Sequence, residues 1–126
     1  KHFALLGNAA EFIDPVFSSG VTIALHSAKL AADLLARQLK GEAADWQREF
    51  AEPLMVGVNA FRTYVDGWYD NRFQNVIYAP NRSPEISRMI SAILAGYAWD
   101  TANPFVEKSE QRLNTLAELV GDLAFE

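Results

Sequence analysis

The sequence has no cysteine. That excludes disulfides, thiolate nucleophiles and cysteine-based metal sites. It also points toward a cytoplasmic setting, because secreted chains of this size commonly carry disulfides. Positive charge is scarce: 11 Lys and Arg stand against 16 Asp and Glu, a net charge of −5, with no basic run. A nucleic-acid partner is therefore not expected. Long apolar runs are missing too, since Thr22, His26, Lys29 and Asp33 interrupt the longest one, so no membrane span is expected. The two histidines, His2 and His26, are too few and too far apart for a metal site. None of the seven glycines falls into G-x-G-x-x-G, the spacing that cradles the ADP part of a dinucleotide. G-x-S-x-G is absent as well, which leaves Ser18 and Ser19 better read as helix caps than as nucleophiles.

What is present suits a single globular unit. Half of the 126 residues are hydrophobic and 12% are aromatic, enough for a core that removes roughly two thirds of the unfolded surface from water. The chain begins with Lys1 rather than Met and enters an apolar run almost at once, so it reads as the C-terminal part of a longer protein.

The predicted fold is mainly α: one short N-terminal strand, a loop and about four helices. "HFALLG", closed by Gly7, fits a buried strand. Residues 8–19 form a loop in which Asp14 precedes Pro15 and is biased to extended geometry. The first helix runs from about Gly20 to Lys40, with Gly41 as its stop. Its two apolar strips predict that it is mostly buried. A second helix starts near Ala44 and carries the stripe Trp46, Phe50, Leu54, Val58, Phe61, Val65 and Trp68. Pro53 lies inside that pattern and should kink or divide it. Arg62 and Asp66 are spaced for an i,i+4 pair. Ser83 as N-cap and Pro84 at the first position open a third helix reaching Tyr97, and Leu113, Leu116, Val120 and Leu123 line a last one. Tyr64, Trp68, Tyr69, Phe73 and Tyr78 read first as core, second as a pocket wall. His26 reads as a surface or core-edge side chain, and Glu11 and Asp14 as solvated or capping carboxylates.

Chemistry concentrates at the start. A strand, Gly7, a loop and a helix opening on Ser18-Ser19-Gly20 together suit an anion or polarised group, because the first turn of a helix has unpaired N–H groups and partial positive charge. "GNAAEFIDPVFSSGVTIAL", residues 7–25, resembles the second flavin-binding motif of the FAD-dependent monooxygenase, geranylgeranyl reductase and flavin-dependent halogenase superfamily. Its D-P-x-F-S-S-G-V form is most similar to bacterial flavin-dependent halogenases and halogenase-like oxidoreductases. The resemblance implies FAD as cofactor and a parent with an α/β FAD-binding fold plus a helical C-terminal region. Residues 1–41 would then complete the FAD-binding domain and 42–126 form the helical domain. It places Gly7 and Asn8 near the ribityl–pyrophosphate part of FAD, Pro15 along the isoalloxazine, and Gly20, Val21 and Thr22 at the pyrimidine end, with Ser19 and Gly20 bordering a chloride site. Asn8 stands where relatives usually have Asp. Phe17 stands where tryptophan halogenases have Glu, which points to phenolic or carrier-bound substrates instead. The implied partners are a flavin reductase, an aromatic or carrier-bound substrate and chloride, with the catalytic residues upstream. The competing readings are a flavin monooxygenase, a prenyl-type reductase, and a non-enzymatic helical module with a relic flavin motif. The chain alone is expected to be inactive and to self-associate through its uncovered apolar start.

Overall fold

The fold was taken from a computed structural model, which describes residues 3–123. The described chain is helical. After two single-turn 3₁₀ segments, Gly7–Ala9 and Pro15–Phe17, come α1 (Gly20–Leu39), α2 (Glu52–Tyr69), α3 (Arg72–Tyr78), α4 (Pro84–Leu94), α5 (Pro104–Glu107) and α6 (Ser109–Leu123). The expected N-terminal strand does not form, and no strand exists among the described residues. Leu6 does have extended dihedrals, φ −125° and ψ 154°. A ladder needs a second extended segment alongside, however, and the described residues supply none, so Phe3 and Leu5 remain exposed.

The stop of α1 follows its glycine. Gly41 has φ +87°, its N–H donates to the Gln38 carbonyl at 3.0 Å, and the Glu42 N–H donates to the Arg37 carbonyl at 3.2 Å. These are the two bonds of a Schellman cap, which glycine makes without a Cβ clash. Pro53 acts as the sequence implies. It has no N–H to give, and the turn before it widens into a π-helical segment, Gln47–Ala51, that runs directly into α2. Ser83 caps α4 by accepting from the Ile86 N–H at 3.4 Å, with Pro84 at the first position. That helix ends at Leu94, short of Tyr97, because Gly96 takes φ +107°. Asn71, at φ 72°, separates α3 from α2; asparagine tolerates this left-handed conformation better than most side chains do.

The core is centred on α2. Leu54, Val58, Phe61, Tyr64 and Val65 are buried along it, with α1 on one side and α3, α5 and α6 on the others. Trp99, in the loop after α4, wedges against α2 at Gly57, where an added Cβ would lie 2.2 Å from the indole. Its Nε1–H donates to the Leu54 carbonyl at 3.1 Å. Buried polar groups around α2 find partners. The Tyr64 hydroxyl donates to the Phe105 carbonyl at 3.0 Å, Thr63 and Ser109 hydroxyls pair at 3.0 Å, and the Asn103 amide donates to the Met89 carbonyl at 2.8 Å. Arg62 does not pair with Asp66. It reaches back to Glu11, 2.6 Å away, a partner that helical spacing could not reveal.

α1 is not mostly buried. Ile23, Ser27, Ala31 and Leu34 face the core, while Val21 and Leu25 are 70% and 69% exposed and Leu39 is 79% exposed. Alongside α1, Phe3, Leu6, Leu35, Leu39, Trp46 and Phe50 line an open apolar groove of about 960 Å³. Of the aromatic cluster, Tyr64 and Phe73 are core, whereas Tyr69 and Tyr78 are exposed.

Candidate functional site

The segment before α1 is held against it by small residues. Gly20, Ala24 and Ser27 recur at i, i+4 and i+7, one face of the helix. The first turn lies on that face: the Gly7 N–H donates to Ser27 Oγ at 3.0 Å, and the Ser27 hydroxyl donates onward to the Ala24 carbonyl at 3.0 Å. Gly7 has φ +53°, and a Cβ there would stand 3.0 Å from the Ala24 Cβ, so both conformation and space require glycine. Asn8, exposed, places Oδ1 3.3 Å from where a Cβ on Gly20 would be. Two further anchors fix the loop. Glu11 pairs with Arg62 of α2, and Phe17 packs edge-on against Trp68 and Phe73 with ring centroids 5.6 Å apart in both cases.

Between these anchors the chain turns sharply. Asp14 accepts from the Val16 N–H at 3.0 Å, Pro15 opens the second turn, and Ser18 closes it in a left-handed conformation at φ 54°. Ser19 precedes α1 but does not cap it with its side chain. Its backbone is already helical, φ −71° and ψ −16°, whereas capping hydroxyls normally sit on extended residues. Ser19 is 2% exposed, and its Oγ has no hydrogen-bond partner. The first backbone bond of α1 joins the Ile23 N–H to the Ser19 carbonyl at 3.0 Å. The amides of Gly20, Val21 and Thr22 therefore have no helical acceptor. An orphaned buried hydroxyl, three free amides and the positive end of a 20-residue helix meet at one point. That arrangement can receive negative charge or a hydrogen-bond acceptor, and Gly20 keeps the approach short of a side chain.

The residues expected from the sequence are thus distributed unevenly. Asn8, Ser19 and Gly20 converge at the start of α1, with Gly7 behind them on the helix face. Thr22 is half-buried beside Gly96, where a Cβ would lie 3.4 Å from its methyl. Pro15 and Val21 are exposed. Ser27, Arg62 and Phe17 support this site without any local motif to mark them as such; for Ser27 the small-residue face at 20, 24 and 27 is the signal the sequence offers. His26 lies at the core edge, its ring stacked on Trp99 at 3.8 Å and 14°. Burial there, with Lys29 nearby, holds its pKa below the usual imidazole value. Among the described residues no cluster of His, Asp or Glu is arranged to hold a metal, and no helix is long and apolar enough to cross a membrane.

The fold that holds this site is shared with a solved flavoprotein. The chain superposes on a crystal structure of a flavoprotein/dehydrogenase from Cytophaga hutchinsonii with a TM-score of 0.93 and 45% identity, over 98% of this chain and 30% of that one. It is 50% identical over 69 residues to the 1H-pyrrole-2-carbonyl-[peptidyl-carrier protein] chlorinase of Pseudomonas fluorescens, covering 54% of this chain and 14% of that protein. It is 33% identical over 57 residues to a flavin-dependent halogenase of Armillaria mellea, covering 45% of this chain and 11% of that protein. No family model matches the sequence. The chain is a relative of flavin-dependent halogenases and halogenase-like flavoproteins, and it spans less than a third of the length of each protein named.

Proposed function

We propose that the chain is the C-terminal part of an FAD-dependent, halogenase-like oxidoreductase, with residues 1–41 completing the FAD site and 42–126 forming a helical domain beside it. The observation that carries this reading is the buried, unpartnered Ser19 Oγ beside the free amides of Gly20, Val21 and Thr22. A folded protein rarely leaves such a hydroxyl unsatisfied, and the positive end of a helix suits the pyrimidine edge of a flavin, where charge accumulates on reduction. FAD, when bound and reduced, supplies the electrons for reaction with O2. The protein's own part would be to orient and stabilise it: Gly20 admits the ring edge, Asn8 accepts or donates beside the ribityl–pyrophosphate part, and Pro15 lies along the ring. Ser19 and Gly20 would border a halide, the chloride that a halogenase consumes. A flavin reductase would supply the reduced cofactor.

Phe17 bears on the substrate. It is packed between Trp68 and Phe73, so a Glu at this position would lose those contacts and place charge against aromatic faces. That favours a phenolic or carrier-bound substrate over free tryptophan. The pyrrole-acyl carrier substrate in the name of the Pseudomonas relative is consistent with this.

The test is Gly20→Val in the complete enzyme. The new side chain would press on Asn8 Oδ1, already 3.3 Å from the Cβ position, and would obstruct the helix start. FAD retention should fall and the flavin reduction potential should drop, because lost amide contacts penalise the reduced anion most. Asp33→Asn removes only the exposed Lys29–Asp33 pair, worth about 0.5 kcal/mol or less, and should leave both readouts unchanged. If Gly20→Val matches wild type in bound flavin and potential, the helix start does not meet the cofactor. For the isolated 126-residue chain we propose self-association through the exposed face of α1. Sedimentation should show a mass above monomer at high micromolar concentration, reduced by Leu35→Lys; a strict monomer contradicts it.

A further inference from the structure

A second recess lies between α3, α4 and α6, formed by elements other than those that build the α1 start. Its volume is about 210 Å³. Apolar walls come from all three helices: Ile77 from α3, Ile86 and Ile90 from α4, and Leu116 and Val120 from α6. One edge is polar in a regular way. Ser83, Ser87 and Ser91 recur every fourth residue along α4 and border the opening. Ser83 is committed to capping the Ile86 amide, which leaves the Ser87 and Ser91 hydroxyls as the α4 side chains able to bond a ligand.

The charge of the recess is opposite to that of the chain. The sequence carries 16 acidic residues and a net charge of −5, yet among the described residues no Asp or Glu lines this recess and the charged residue there is Arg82. Arg82 is exposed, and no carboxylate pairs with it among the described residues. Arg37, Arg62 and Arg72 are paired with carboxylates, whereas Arg48, Arg88 and Arg112, like Arg82, are in no ion pair among the described residues; of these four, Arg82 borders the recess. An unpaired guanidinium at the mouth of an apolar recess is a receptor for a carboxylate attached to an apolar body. Size narrows the class. An apolar cavity of roughly 150 Å³ accommodates a benzene ring, so this recess holds one ring with a small substituent and little more.

We infer that the recess between α3, α4 and α6 binds a small aromatic carboxylate, its ring against the aliphatic walls, its carboxylate on Arg82, with the α4 hydroxyls as secondary donors. The inference is independent of the flavin reading, because it uses no residue of the α1 start.

Sodium benzoate is the probe, titrated into the ¹⁵N-labelled 126-residue chain to about 50 mM at constant ionic strength. Saturable amide shifts confined to α3, α4 and α6 are expected, with a Kd on the order of 1–10 mM for so few ligand atoms. Arg82→Gln should weaken binding by up to about fivefold, the upper end for an exposed charge pair; as an exposed loop substitution it leaves the fold in place. Benzyl alcohol, which has the ring without the charge, should bind more weakly by a similar factor, and acetate, which has the charge without the ring, should produce no saturable shifts. Ser87→Leu fills the recess from a helical position where leucine is favoured and should abolish the benzoate shifts while helical circular dichroism is retained. Shifts that do not saturate or that centre on α1 overturn the inference. So does an Arg82→Gln chain that binds benzoate as wild type does, or benzyl alcohol that binds as tightly as benzoate.

Discussion

The α2-centred bundle and the α1 segment with its preceding loop are built to different standards. Around α2, buried polar groups are satisfied within the chain: Tyr64 on Phe105, Thr63 on Ser109, Asn103 on both Met89 and Phe105, Trp99 on Leu54. At the start of α1, Ser19 Oγ has no partner, Ser18 is in a left-handed conformation, and Val21 and Leu25 lie open to water. Unsatisfied hydroxyls and strained backbone cost stability. The unpartnered hydroxyl sits where the loop, the helix amides and the small residues meet, whereas the left-handed residue of the bundle, Asn71, is of a type that tolerates that conformation. The bundle has the features of a self-sufficient core, and the α1 start has those of a surface shaped to receive something else.

The largest effect that would sharpen this contrast is expected in the bundle. Leu113 is fully buried on α6 and fills the space left by Gly67 of α2, where a Cβ would fall 2.5 Å from its Cδ2. Leu113→Ala removes that contact and leaves a void that helical backbones cannot close. A loss of about 3 kcal/mol is expected, read by urea unfolding. A loss under about 1 kcal/mol would mean that α6 is loosely docked and the bundle no better packed than α1.

Next in size is Gly7→Ala. Two costs add here: φ +53° for a residue with a Cβ, and a contact of 3.0 Å with the Ala24 Cβ. About 2 kcal/mol is expected, with the change localised by hydrogen exchange to the loop and the first turns of α1, because the Gly7–Ala9 turn packs chiefly on α1. Exchange that accelerates evenly across α2 and α6 instead would join the two regions into one cooperative unit and remove the contrast drawn here.

These two cases also show what the sequence can carry. Capping signals are local and were legible: Gly41 ends α1, Ser83 and Pro84 open α4, and Pro53 widens the turn before α2. The order of Gly7, Asn8, Ser19 and Gly20 was legible as a motif because a motif is itself a local pattern; its role in holding FAD is the proposal made above. What depends on distant partners was not. An apolar run such as residues 3–6 is compatible with a strand, but only a second extended segment makes it one. The two apolar strips of α1 show that the helix could be buried; they cannot show what covers the second strip. Arg62 has an acceptor at i+4 in Asp66 and yet pairs with Glu11, because the folded loop brings that carboxylate to 2.6 Å. Ser19 looked like an N-cap by type and position, and its helical dihedrals turn the hydroxyl into an orphan instead.

The smallest expected effect is the most discriminating, because its sign differs between two settings. Ser19→Ala deletes a hydroxyl that is 2% exposed and makes no hydrogen bond. In the 126-residue chain nothing is lost but the desolvation penalty of that group, so stability should rise by about 1 kcal/mol. A capping serine would behave oppositely, its loss costing about 1 kcal/mol. Thermal or urea unfolding of the chain therefore separates an orphan from a cap directly. In the complete enzyme the same change should weaken flavin or halide retention if Ser19 faces the bound group, since the hydroxyl then has a partner to lose. Stabilisation in the chain combined with weaker retention in the enzyme is the pattern of a polar group kept unsatisfied for a ligand. Destabilisation in the chain would return Ser19 to the role of a helix cap, and the α1 start would then be no different in kind from the start of α4.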